Sequence, residues 1–152
     1  MPYILLQPVT EAVAAIGGGS PAYILAWIGI FLMVALSGVG SAWGTVIGGS
    51  ATVAAMKKRD DIFANCMILS AMPGTQGLYG FGAFFILKDH INPEISMITA
   101  AAIFGAGLIS GVVNLISAYW QARIVANGIE SIGNGNNVFT NTLILGVYPE
   151  LY

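Results

Sequence analysis

From Pro21 to Met56 the chain carries no charged side chain, and from Ile95 up to Glu130 it carries only Arg123. Each run exceeds the ~20 apolar residues needed to cross ~30 Å of hydrocarbon. In lipid a backbone must satisfy its own hydrogen bonds, which for a continuous apolar run means a helix. With 57% hydrophobic and 8% charged residues and a mean hydropathy of +0.81, the whole chain reads as an integral membrane protein with no separate soluble domain. The single cysteine, Cys66, lies in an apolar run and reads as an inert buried thiol. It excludes a disulfide framework, a thiolate metal site or a redox pair within one chain. A net charge of −2 implies no nucleic-acid partner; membrane lipid and other membrane proteins are the expected surroundings.

Four helical segments are expected. Residues 1–20, with Pro2, Pro8 and Gly17-Gly18-Gly19 but no Lys or Arg, form a lead-in outside the membrane, a cleaved leader being the alternative. The first helix begins at Ser20-Pro21, a polar cap followed by a first-turn proline, and ends near Met56. The charged turn Lys57-Lys58-Arg59-Asp60-Asp61 leads to a second helix over about Ile62–Leu87. A third runs from about Ile95 to Glu130 and stops at Gly133-Asn134-Gly135-Asn136-Asn137. A fourth begins near Val138 and is expected to be C-terminally incomplete at Tyr152, since fifteen residues do not comfortably span the core. The hairpins divide at 21–91 and 92–152. Clustering of Lys57, Lys58 and Arg59 puts the first turn in the cytoplasm and both chain ends outside. Arg123 reads as a snorkelling side chain.

The hairpins look like parallel copies. Leu36–Ala42 sets against Ile116–Ala122, pairing Ser37 with Ser117 at an offset of 80, and Met72-Pro73-Gly74 sets against Tyr148-Pro149-Glu150 at an offset of 76. A second turn four residues shorter is thereby expected. Gly40, Gly44 and Gly48, flanked by Ser37, Ser41, Thr45 and Gly49, make a small-residue stripe on the first helix. It points to the crowded inner side of an assembly, or alternatively to packing within one chain.

Polar oxygens gather at the prolines. Pro73 and Pro149 lack an N–H, so the carbonyls of Leu69 and Leu145 are expected to lose their partners and bend the helix. Thr75 and Gln76 follow Pro73, Tyr79 stands one turn on, and Glu150 follows Pro149. A carboxylate inside hydrocarbon costs free energy and persists mainly where it binds or passes something. Hydroxyl, amide and carboxylate oxygens around one negative charge suit a hard monovalent cation, because a transition metal recruits imidazole or thiolate. The polar groups concentrate at one depth, which argues against a small two-repeat secondary transporter or channel. A merely structural proteolipid, in which these groups only join helices, is a further alternative.

A duplicated hairpin with Pro73-Gly74-Thr75-Gln76-Gly77-Leu78-Tyr79-Gly80, a glutamine on the third helix and Pro149-Glu150 on the fourth resembles the K subunit, or proteolipid, of prokaryotic V-type (V/A-type) ATPases, especially sodium-translocating ones. The resemblance covers about residue 25 onward. It implies an all-α membrane protein assembling into a ring, a non-catalytic subunit whose one essential carboxylate takes up and releases an ion as the ring turns. By position, Glu150 is that carboxylate; Gln121, Gln76 and Thr75 offer side-chain oxygens to Na⁺, Met72 its backbone carbonyl, and Tyr79 holds the carboxylate closed. H⁺ is the alternative ion. Implied partners are identical subunits, a stator membrane subunit, and a central stalk at Lys57–Asp61 and Gly133–Asn137, in the cytoplasmic membrane of a prokaryote. Gly74 replaces the carboxylate in the first copy, so one ion moves per doubled hairpin. Each charge moved against 100 mV costs ~2.3 kcal/mol, so fewer ions per ATP suit a pump against a steep gradient.

Overall fold

A computed structural model describes residues 19–152, in which every regular element is helical. The lead-in expected over 1–20 therefore lies, apart from Gly19 and Ser20, outside the described residues. Helix α1 spans Pro21–Met56, and the Ser20 side chain caps it by accepting from the Tyr23 N–H at 3.2 Å. Helix α2 (Phe63–Ala71) runs into a 3₁₀ turn at Met72–Gly74 and continues as α3 (Thr75–Leu87). Helix α4 spans Met97–Gly133, with Ser96 as its N-cap. Helix α5 (Phe139–Val147) passes into a 3₁₀ turn at Tyr148–Leu151. Helices α1 and α4 are long and apolar enough to cross a membrane.

The second segment is thus not the continuous helix expected over Ile62–Leu87. Nor are the carbonyls of Leu69 and Leu145 loosened: they accept from the N–H groups of Met72 and Tyr148. Tightening to i→i+3 bonding restores what the prolines remove.

The repeat has one offset. Helices α2 and α5 are each nine residues long, both begin at a phenylalanine, and both end in a proline-bearing 3₁₀ turn 76 positions apart. The preceding turns, Lys57–Ile62 and Asn134–Val138, have six and five residues, so the second is one residue shorter and not four. At the offset of 76 Ser41 is the counterpart of Ser117, and Thr45 of Gln121; the pairing of Ser37 with Ser117 and the four-residue shortening are corrected. Ser37 and Ser41 lie one helical turn apart, so a pattern read by helix face fits either serine.

The long pair α1 and α4 forms the centre, with α2 and α3 packed against both and α5 against α4. Their seam is lined by small residues. A Cβ on Gly40 would come 2.6 Å from the Leu115 Cα, and one on Gly44 would come 2.5 Å from the Pro73 Cβ, so only glycine permits this approach. Gly48 packs against Ser70. The stripe on α1 therefore packs inside the chain, Gly40 against α4 of the second hairpin and Gly44 and Gly48 against Pro73 and Ser70 of its own, where the crowded inner side of an assembly was the leading expectation. Apolar clusters flank it on both sides, Ala26, Ile30, Met33 and Ile103 in one, Leu69, Val125 and Ile129 in the other.

At one end the two turns meet, with Lys58 Nζ donating to Asn134 Oδ1 at 2.6 Å. Beside them Arg59 donates twice to Asp61, a hydrogen-bonded pairing that holds the Asp61 carboxyl below its usual range.

Candidate functional site

The 3₁₀ turn at Pro73 rotates the start of α3 so that Thr75 and Gln76 face α4 and the end of the fourth segment. Gln76 and Gln121 are almost wholly buried, at 1% and 0% exposure, while Glu150 is half-buried. Glu150 Oε1 accepts from Thr75 Oγ1 at 2.7 Å and from Gln121 Nε2 at 2.9 Å. Thr75 Oγ1 also lies 2.9 Å from the Met72 carbonyl and 3.3 Å from Gln76 Oε1. Gln76 Nε2 donates to Gln121 Oε1 at 3.0 Å. Five of the six residues singled out from the sequence thus converge: Met72, Thr75, Gln76, Gln121 and Glu150. Tyr79 is on α3 but 48% exposed, and no hydrogen bond joins it to Glu150.

Three groups that sequence reasoning had not assigned to the site also belong to it. Ser117 Oγ donates to the Pro149 carbonyl and accepts from Gln76 Nε2 at 3.2 Å, and Gln121 Nε2 donates to the Gly146 carbonyl at 2.7 Å. Ser117 precedes Gln121 by one turn, so it shares the face, which is the signal that was available. The carbonyls at the site are those of Met72, Gly146 and Pro149, not those of Leu69 and Leu145.

Two orientations follow. As placed, Gln121 turns its NH₂ end toward Glu150 because Gln76 occupies its Oε1. Rotation of that amide by 180° puts Oε1 toward the carboxylate and the Gly146 carbonyl, a set of acceptors that needs a cation among them, and takes from Gln76 Nε2 its acceptor on Gln121, leaving it that of Ser117. The cluster therefore has the parts to hold a carboxylate by donated hydrogen bonds, or to surround a hard cation with oxygens from Thr75, Gln76, Gln121, Glu150 and the Met72 carbonyl.

Polar groups also occur at other depths. Asn114 Nδ2 donates to Ser37 Oγ at 3.0 Å and Thr52 Oγ1 to the Cys66 carbonyl at 3.3 Å, while beside the site the Gly77 N–H donates to Ser41 Oγ at 2.6 Å. Each is paired, and among the described residues no buried side-chain N or O lacks a partner. They join helices, as polar residues in membranes do.

The sequence pattern of the ATP synthase C-subunit family matches residues 28–87 and 104–152, once in each half. The chain is similar to the V-type sodium ATPase subunit K of Enterococcus hirae, 31% identical over 116 residues, which is 76% of this chain and 74% of that protein. It is similar to the A-type ATP synthase subunit K of Methanocaldococcus jannaschii, 30% identical over 127 residues, 84% of this chain and 56% of that protein. The 16 kDa proteolipid of the V-type proton ATPase of Homo sapiens is 22% identical over 134 residues, 88% of this chain and 86% of its own.

Proposed function

The chain belongs to the ATP synthase C-subunit family, and from that premise we propose that it is the membrane proteolipid of a V/A-type rotary ATPase, carrying one Na⁺ per chain on Glu150. In this reading identical copies form a ring, each passing a stator membrane subunit where its carboxylate gains or releases the ion. The turns Lys57–Asp61 and Gly133–Asn137, which stand together at one end, meet the central stalk. The chain performs no bond chemistry itself; ATP hydrolysis belongs to the soluble sector.

The observation that supports this best is the oxygen set around Glu150. Thr75 Oγ1 touches the carboxylate, and Gln76 Oε1 and the Met72 carbonyl lie within 3.3 Å of that hydroxyl. Rotation of the Gln121 amide adds a further oxygen. Tyr79 closes the site when a neighbouring helix or stator turns it inward. A proton carrier needs only the carboxyl and one partner, so a shell of this size favours sodium, in keeping with the similarity to a sodium ATPase subunit. The second reading is H⁺, favoured by the NH₂ end that Gln121 presents to Glu150.

Carbodiimide attacks a protonated carboxyl, so labelling of Glu150 in the full chain separates the readings. Protection by millimolar Na⁺ but not K⁺ is expected, with no labelling of Glu150→Gln. Labelling indifferent to sodium and falling only as pH rises overturns sodium in favour of the proton.

A further inference from the structure

We propose that Ser41, on α1 of the first hairpin, is a positioning residue that sets where Thr75 and Gln76 stand and thereby how well the site holds its cation. The proposal rests on the reading of Glu150 as a sodium carrier. Ser41 is almost wholly buried, and its Oγ accepts the Gly77 N–H at 2.6 Å. Gly77 is the third residue of α3, directly after Gln76. N–H groups in the first turn of a helix lack an α-helical partner, and α3 starts afresh after the 3₁₀ turn at Met72–Gly74. Ser41 thus supplies, from a different helix, an acceptor to the turn that carries Thr75 and Gln76. The approach is close: a Cβ on Gly77 would come 3.1 Å from Ser41 Oγ and 3.2 Å from its Cβ. Glycine at 77 lets the hydroxyl reach the backbone. A bond to backbone fixes the turn itself, both its height along α1 and its rotation about the axis of α3.

Thr75 and Gln76 reach the site from that turn. Thr75 Oγ1 lies 2.7 Å from Glu150 Oε1 and Gln76 Nε2 lies 3.0 Å from Gln121 Oε1. Retreat of the turn by ~1 Å would take both contacts out of hydrogen-bonding range. The second hairpin uses the same device. Ser117, the counterpart of Ser41 at the offset of 76, donates to the Pro149 carbonyl, next to Glu150. In each hairpin a serine on the long helix therefore grips the short segment just at or after its proline, by an N–H in the first and by a carbonyl in the second. The carboxylate is held from α4, and the neutral oxygens of Thr75 and Gln76 are held from α1.

Ser37, one turn before Ser41, has the same chemistry without that role. It is buried, accepts from Asn114 Nδ2 at 3.0 Å and packs against Gly80, one turn beyond Gly77. It joins α1 to α4 and α3, but neither partner carries a group of the site.

Carbodiimide labelling of Glu150 over a range of sodium concentrations, on the full chain in its native membrane, tests the role. Ser41→Ala is expected to raise the sodium concentration that half-protects Glu150 by about three- to tenfold, the factor that one net buried hydrogen bond represents. Gly77→Ala crowds the same contact from the other side and is expected to act in the same direction, which serves if Ser41→Ala fails to assemble. Ser37→Ala removes an equal hydroxyl from the same face of α1 and is expected to leave half-protection unchanged, although both serine variants lower the unfolding temperature of the purified protein. Half-protection unchanged in Ser41→Ala, or raised equally in Ser37→Ala, overturns the proposal. If sodium fails to protect the unsubstituted protein, the sodium reading is rejected, and the rate of labelling without sodium judges Ser41 by itself. That rate is expected to rise several-fold in Ser41→Ala, where Thr75 no longer covers Oε1, and to stay unchanged in Ser37→Ala; equal rates in the two variants overturn the positioning role.

Discussion

Ser117 bridges the two halves of the candidate site, holding the Pro149 carbonyl beside Glu150 and the Gln76 amide that in turn fixes Gln121. Removing its hydroxyl leaves buried partners short of a hydrogen bond, a loss of about 1–3 kcal/mol. Ser117→Ala is therefore expected to raise the sodium concentration that half-protects Glu150 from carbodiimide by about tenfold, since ~1.4 kcal/mol is a factor of ten. Ser117→Thr is expected to restore it; unchanged protection in the alanine variant would remove Ser117 from the site. Thr75, Gln76 and Glu150 were legible in the sequence because oxygen-bearing side chains in an apolar run stand out, whereas Gln121 came only from the family resemblance. Ser117 was not legible. A serine in a membrane helix commonly bonds back to its own helix, and only the approach of the fourth segment gives its hydroxyl another carbonyl.

At the scale of the elements, the glycine seam sets how closely α1 and α4 approach. Gly40→Ala puts a methyl 2.6 Å from the Leu115 Cα, and backbone cannot yield as a side-chain tip can. Overpacking of this kind costs about 1–3 kcal/mol. The purified protein is expected to unfold several degrees lower in a thermal scan, while Gly38→Ala, with open space around it, leaves the midpoint unchanged within the isolated chain. Equal midpoints for both variants would contradict the seam. The helix starts at Ser20-Pro21 and Ser96 follow from local capping chemistry and could be read directly. The 3₁₀ turns and the repair of the Leu69 and Leu145 carbonyls could not, because a proline interrupts a helix without dictating which neighbouring bonds shorten.

Across the whole molecule, duplication with divergence makes the two hairpins unequal. Glu150 has Gly74 as its counterpart, and Gln121 has Thr45. Tracer sodium binding to the purified assembly is therefore expected to saturate at about one ion per chain; two per chain would contradict a single site at Glu150. The apolar runs and scarcity of charge determined by themselves that this chain is helical and membrane-embedded, because hydrocarbon leaves the backbone no other partner. The two proline turns determined where its polar chemistry lies. Tertiary structure decided the rest: that Ser41 rather than Ser37 is the counterpart of Ser117, that the glycine stripe of α1 is buried inside the chain, and that Ser117 and the Gly146 carbonyl join the site. A one-turn shift leaves a helix's faces unchanged, so only contact with a neighbouring helix distinguishes one register from the next.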